Sequence, residues 1–151
     1  MRTLSILILS ILLSNASSFA QKNITGYYIS DEQRFEDESN PSKNTHRFQR
    51  LKIEIDISDI TNMGFIKVNF PEDNLSMKWD ITEKIDKEYN EEQKALYTSY
   101  NAYMNIENYR TDTQFTIVFI NDYSSTPNTL HVVVQSMKGT RTWYHNLKRI
   151  N

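Results

Sequence analysis

The sequence predicts an all-β fold, a single antiparallel up-and-down domain closed into a barrel of about eight strands, with a β-sandwich as the alternative. Three observations carry this. Apolar and polar residues alternate in several segments, which places successive side chains on opposite faces of a pleated strand. Leu51, Ile53, Ile55 and Ile57 alternate with Arg50, Lys52, Glu54 and Asp56, and Leu75, Met77, Trp79 and Ile81 alternate with Ser76, Lys78 and Asp80. No helical periodicity appears after residue 20, and the links between segments are short and rich in turn formers.

The first twenty residues predict an export signal. Arg2 supplies the positive start, Leu4 to Leu13 form an apolar stretch broken only by Ser5 and Ser10, and Ser18 and Ala20 are the small residues of a cleavage site. Cleavage is expected between Ala20 and Gln21. The stretch is too short to span a bilayer, which takes about 20 apolar residues, and no membrane span is expected after cleavage. With no cysteine behind it, a lipoprotein anchor is not expected either. Removing 20 of 151 residues leaves 131, read as one all-β domain over 21–151.

Eight strands are expected, at 24–30, 47–58, 63–70, 74–85, 95–107, 113–120, 129–136 and 141–149. Asp31 to His46 is polar apart from Phe35 and reads as a long irregular connection. Pro71-Glu72-Asp73 and Lys138-Gly139 read as tight turns, and Asn121 to Asn128 as a loop. Asp86 to Lys94 reads as a hairpin tip or one helical turn. Parity then assigns the core faces. Ile66, Val68 and Phe70 share one; Tyr100, Ala102, Met104 and Ile106 another. Phe115, Ile117 and Phe119 are matched by Leu130, Val132 and Val134. Val118, Ile120 and Val133 make two strands apolar on both faces, so a cover is expected there. In the last strand, Trp143, His145, Leu147 and Arg149 fall on one face, with His145 expected inside the core.

Composition narrows the function. Arg2 is the leader's only charge, so its removal takes Lys+Arg from 17 to 16 against 19 Asp+Glu, a mild and dispersed acidity. No basic patch points to nucleic acid. Cysteine is absent, which suits a bacterial periplasmic or secreted protein better than a disulfide-stapled animal domain. Acceptor triplets for N-glycosylation at Asn23 and Asn74 matter only in a eukaryotic secretory pathway. His46, His131 and His145 lack metal-ligand spacing, Glu91-Glu92 lies in a solvated loop, and no catalytic motif occurs. No enzyme, metal or cofactor is expected.

Gly26-Tyr27-Tyr28 in the first strand, Asn121-Asp122-Tyr123 after the sixth, and Arg149 near the end of the eighth resemble the lipocalin and calycin group. The first resembles its Gly-X-Trp signature with Tyr for Trp, and the second its Thr-Asp-Tyr turn. Arg149 matches the arginine that packs across the aromatic residue at the barrel base. The group's usual disulfide has no counterpart, and the sequence ends where that group continues into a helix. The resemblance implies a small hydrophobic ligand inside the barrel, walled by Phe70, Met77, Trp79, Tyr100, Met104 and Phe115. The same residue types fill a solid barrel core, so that reading stands beside it. Tyr28, Asp122 and Arg149 are implied to be structural, at the base and its turn.

Two other readings use the outside of the domain. A protein or glycan partner would meet loops 31–46 and 121–128, or Tyr97, Tyr103 and Tyr109, which lie off the assigned core face or beyond its strand. An outer-membrane barrel would need its apolar face toward lipid. Three glycines, low hydropathy and the lack of a terminal aromatic residue speak against it.

Overall fold

The computed structural model describes residues 23–124 and 127–150; the predicted export signal lies outside them. The described chain forms β1 (Gly26–Ser30), β2 (Glu32–Asp37), a 3-10 turn (Pro41–Lys43), β3 (Thr45–Arg47), β4 (Leu51–Ile57), β5 (Gly64–Phe70), β6 (Leu75–Asn90), β7 (Ala95–Ile106), β8 (Tyr109–Asp122), β9 (Thr129–Ser136) and β10 (Thr140–Ile150). All pairings are antiparallel. The sheet runs β1-β4-β5-β6-β7-β8-β9-β10 and closes through β10 on β1, where Tyr28 stands opposite Arg149. The fold is thus a closed, lipocalin-like eight-stranded barrel with two additional strands. Closure removes the open sheet edges that invite association.

The additional strands β2 and β3 replace the irregular connection expected at Asp31–His46. They prolong β1 and β4: Ser30 pairs with Leu51 and, one residue out of step, Gln33 pairs with Arg47. Their sequence is polar because β3 is exposed and β2 is only partly covered, which hides the strand character. What fixes it is β10, whose residues Thr140 to His145 pair along β2. Asp37 then organises the turn, accepting from Ser39 N–H, Ser39 Oγ–H and Asn40 N–H at 2.7–3.0 Å. The expected hairpin tip at 86–94 is likewise shorter. β6 continues to Asn90 against β7, with bulges near Ile81 and Lys84 that disturb the alternation.

The expected apolar face of β4 turns inward whole: Leu51, Ile53 and Ile55 are at most 1% exposed. With Ile66, Val68, Trp79, Ile81, Tyr100, Ala102, Ile117, Phe119, Val132, Val134 and Tyr144 they fill one core inside the barrel. Each fully buried aliphatic side chain contributes about 1.5–3 kcal/mol. Charged residues such as Lys52 and Asp56 face out. This is the inverse of a lipid-exposed barrel wall. No helix among the described residues is long and apolar enough to cross a membrane.

The last strand departs from strict parity. Between Tyr144, opposite Val132, and Leu147, opposite Leu130, β10 carries one extra residue. Asn146 takes φ 51°, the left-handed conformation that asparagine tolerates better than most residues. The bulge resets the alternation. Tyr144 and Leu147 are therefore both buried in the core, while Trp143 and His145 stand outside. The inward placement expected for His145 is corrected accordingly. Its ring stacks on Trp143 (5.7 Å, 3° between planes) and meets His131 edge-on at 5.6 Å. Trp143 also supplies part of the expected cover. Ala95, Ile120 and Val133 form a second, outer cluster packed by Tyr97, Val118 and Trp143.

Candidate functional site

One end of the barrel gathers the start of β1, the ends of β8 and β10, and the start of β9; we call it the base. The short segment before β1 is laid across it by local chemistry. Asn23 Oδ1 accepts the Thr25 N–H at 2.8 Å, and Thr25 Oγ donates to Ile57 O at 3.0 Å while accepting the Ile57 N–H at 3.1 Å. Tyr28, 5% exposed, donates its hydroxyl to Ile24 O at 2.6 Å. Burial raises the Tyr28 phenol above its ordinary value, with the Arg149 cation acting in the opposite sense.

Arg149 is held in one place. Its Nη2 donates to Thr25 O at 2.6 Å. The guanidinium lies against Gly26, where an added Cβ would sit 3.0 Å from both Nε and Nη2. A glycine at 26 is thus what admits the arginine to the strand surface. Asp122, at the end of β8, turns away into its own loop, accepting from Ser124 N–H at 2.7 Å and Ser124 Oγ–H at 2.6 Å. These bonds hold its carboxyl below the usual carboxylate range.

Between these parts lies a cavity of about 620 Å³, within the roughly 300–1,000 Å³ typical of small-molecule sites. Ile24, Tyr28, Leu130 and Leu147 give it an apolar floor continuous with the core, and Asn121, Lys148 and Arg149 supply polar groups. Asn121 is 9% exposed, and its Nδ2 has no acceptor among the described residues.

The six residues named from the sequence as ligand walls lie elsewhere. Phe70, Trp79 and Tyr100 are at most 5% exposed within the core, and Met77, Met104 and Phe115 are half-buried against it. They cluster through edge-on ring contacts, Trp79 with Phe115 at 6.1 Å and Tyr100 with Phe119 at 5.7 Å. None of the six lines the basal cavity. Tyr28 and Arg149 do line it; Asp122 does not. Of the outward tyrosines, Tyr103 is covered by Arg110, 4.4 Å above its ring, and Tyr97 hydrogen-bonds Gln93. Tyr109 is 80% exposed. The sequence offers Asn121 only as part of the Asn121-Asp122-Tyr123 turn, because the expected strand there stops at residue 120. Continuing the beat of Phe115, Ile117 and Phe119 by one step would have turned it inward.

The histidines His131 and His145 share the outer face of β9 and β10. Burial is the main reason both titrate below the ordinary histidine value of 6.5. His131 Nδ1 accepts the Asn146 N–H at 3.3 Å, a role that only the unprotonated nitrogen can fill. Among the described residues no cluster of His, Cys, Asp and Glu is arranged to hold a metal ion. No protein-family model, curated protein or solved structure matches this chain.

Proposed function

We propose that this chain is an exported, non-enzymatic, lipocalin-like binding protein that carries a small, largely apolar molecule in the basal cavity. The observation that supports this most is the cavity itself: about 620 Å³ of space floored by Ile24, Tyr28, Leu130 and Leu147 at one end of a closed barrel. Strand residues Tyr28, Leu130 and Leu147 supply part of its wall, so that part is already formed before a ligand enters, which limits the ordering cost of binding. Its place also distinguishes two parts of the interior. The centre around Trp79 and Phe119 serves stability, and the base serves binding. Export rests on the leader sequence, with Arg2, the apolar stretch to Leu13, and Ser18 and Ala20 at the cleavage site.

The uncharged dye N-phenyl-1-naphthylamine tests the binding claim. It should bind the purified protein at one site with a rise in fluorescence. Asn128→Trp, at an exposed position on the cavity rim, should abolish that site while leaving the far-ultraviolet dichroism unchanged. Dye binding that is absent in the parent, or unaltered in the folded variant, refutes the reading. Mass spectrometry of the exported chain should give Gln21 as its first residue; a retained leader refutes the export claim.

A further inference from the structure

We infer that the molecule held at the base is an organic anion with an apolar body, its negative head taken by Arg149 with Asn121 as a second donor. The inference rests on the proposed binding role of the cavity and names the ligand's charge and shape.

Two donors at this cavity carry the inference, the Arg149 guanidinium and Asn121 Nδ2. Arg149 spends Nη2 on Thr25 O and belongs to none of the ion pairs among the described residues. A guanidinium has five N–H donors, so most of its hydrogen-bonding capacity is left for a partner. Its stem is fixed by the Gly26 surface and by the Thr25 carbonyl, so it is oriented before a ligand arrives. Lys148, opposite Ile29 on the other face of β10, carries its ammonium toward Asp31 at 3.6 Å and away from the guanidinium. Asn121 adds a second donor from the wall, buried and without an acceptor. A buried donor left unpaired is unfavourable, so an occupant bringing an acceptor oxygen is favoured there over one that is purely hydrocarbon.

Among the described residues no carboxylate side chain lines the cavity. Asp122, at the end of β8, is occupied by Ser124. The positive charge of Arg149 here runs against the whole chain, which has 17 Lys+Arg and 19 Asp+Glu. Beneath the cation the floor is hydrocarbon and phenol: Ile24, Tyr28, Leu130 and Leu147. Cation at the rim over an apolar floor is the complement of an amphipathic carboxylate or sulfonate. A simple inorganic anion would leave the floor wet, and an uncharged hydrocarbon would leave the donors unanswered.

Isothermal titration of the purified protein with decanoate and with 1-decanol tests this, since the two share a chain and differ in head group. Decanoate should bind about tenfold or more tighter, the range expected for a charge-assisted hydrogen bond, and its affinity should fall with added sodium chloride while that of decanol does not. Arg149→Gln should bring decanoate down to the decanol level, and Arg149→Lys should retain part of the difference. Because Arg149 also ties down the entry segment, Asn121→Leu provides a second variant that removes an unpartnered buried donor; it should weaken decanoate by several-fold and leave decanol no weaker. Equal affinities for the two probes, or a decanoate preference untouched by either Arg149→Gln or Asn121→Leu, would overturn the anionic assignment and leave small-molecule binding standing. Failure of both probes would overturn the assignment together with the binding role it rests on.

Discussion

Two buried hydroxyls in this barrel should respond to deletion with opposite signs. Thr98 on β7 and Ser30 at the end of β1 are both 0% exposed. Thr98 Oγ has no hydrogen-bond partner among the described residues. Ser30 Oγ, by contrast, donates to His145 O at 2.7 Å, beside the bulge in β10. Thr98→Val keeps the β-branched shape and replaces an unsatisfied hydroxyl with a methyl group, which should stabilise the fold by about 1–3 kcal/mol. Ser30→Ala removes the donor and strands a carbonyl, and should destabilise by a similar amount, about 1–3 kcal/mol. Urea unfolding reads both. With a slope near 2 kcal/mol/M, the midpoint should rise by roughly 0.5–1.5 M for the first variant and fall as far for the second. The protein's two tryptophans serve as reporters, Trp79 inside the barrel and Trp143 on its outer face. Coincidence of their fluorescence with far-ultraviolet dichroism checks that unfolding is two-state. A lower midpoint for Thr98→Val, or a neutral Ser30→Ala, refutes this account of the interior's polar groups.

Three further outcomes follow from the geometry. Gly64→Ala would put a Cβ 1.8 Å from the Asp56 carbonyl oxygen, so β4 and β5 would have to separate at that end; a loss of about 3 kcal/mol or more in thermal or urea unfolding is expected. At Asn146 (φ 51°), Asn146→Val should cost about 1–2 kcal/mol and Asn146→Gly little, since only the first forces a β-branched residue into the left-handed region. Equal effects would show that the bulge does not hold that backbone. The pH dependence has two stages. His131 and His145 stay neutral in the fold at pH values where the unfolded chain binds protons, so their contribution is complete above about pH 6.5 and declines as pH falls toward their lower folded values. Asp37 and Asp122, held down mainly by the hydroxyls of Ser39 and Ser124, add stability that is lost only below the ordinary carboxyl value of 3.8. Melting temperature against pH should show both stages, and His131→Gln combined with His145→Gln should flatten the first; an unchanged first stage refutes it.

Much of this architecture was written in the spacing of residues. The beat of Leu51, Ile53, Ile55 and Ile57, and the matching one in β8, gave strand, inward face and core together, because a period of two allows only one side of a pleated strand to be apolar. Composition had no such hold on β2, β3 and the far end of β6. Their residues are polar, and they are strands because β10, β2 and β7 respectively offer them ladders of backbone partners. The candidate site divides along the same line. Arg149, Tyr28 and Asn121 all fall in short motifs, but the inward turn of Asn121 needed its strand to be followed one residue past the expected end at 120. The burial of Tyr144 together with Leu147 needed the bulge at Asn146, since an alternation count cannot foresee one inserted residue. Local pattern is a property of neighbours along the chain, and it settled the all-β class and the direction of most side chains. Where the barrel closed, and which residues gather round the basal hollow, depended on how β1, β8 and β10 met across more than a hundred residues, a matter of register and packing that no local pattern encodes.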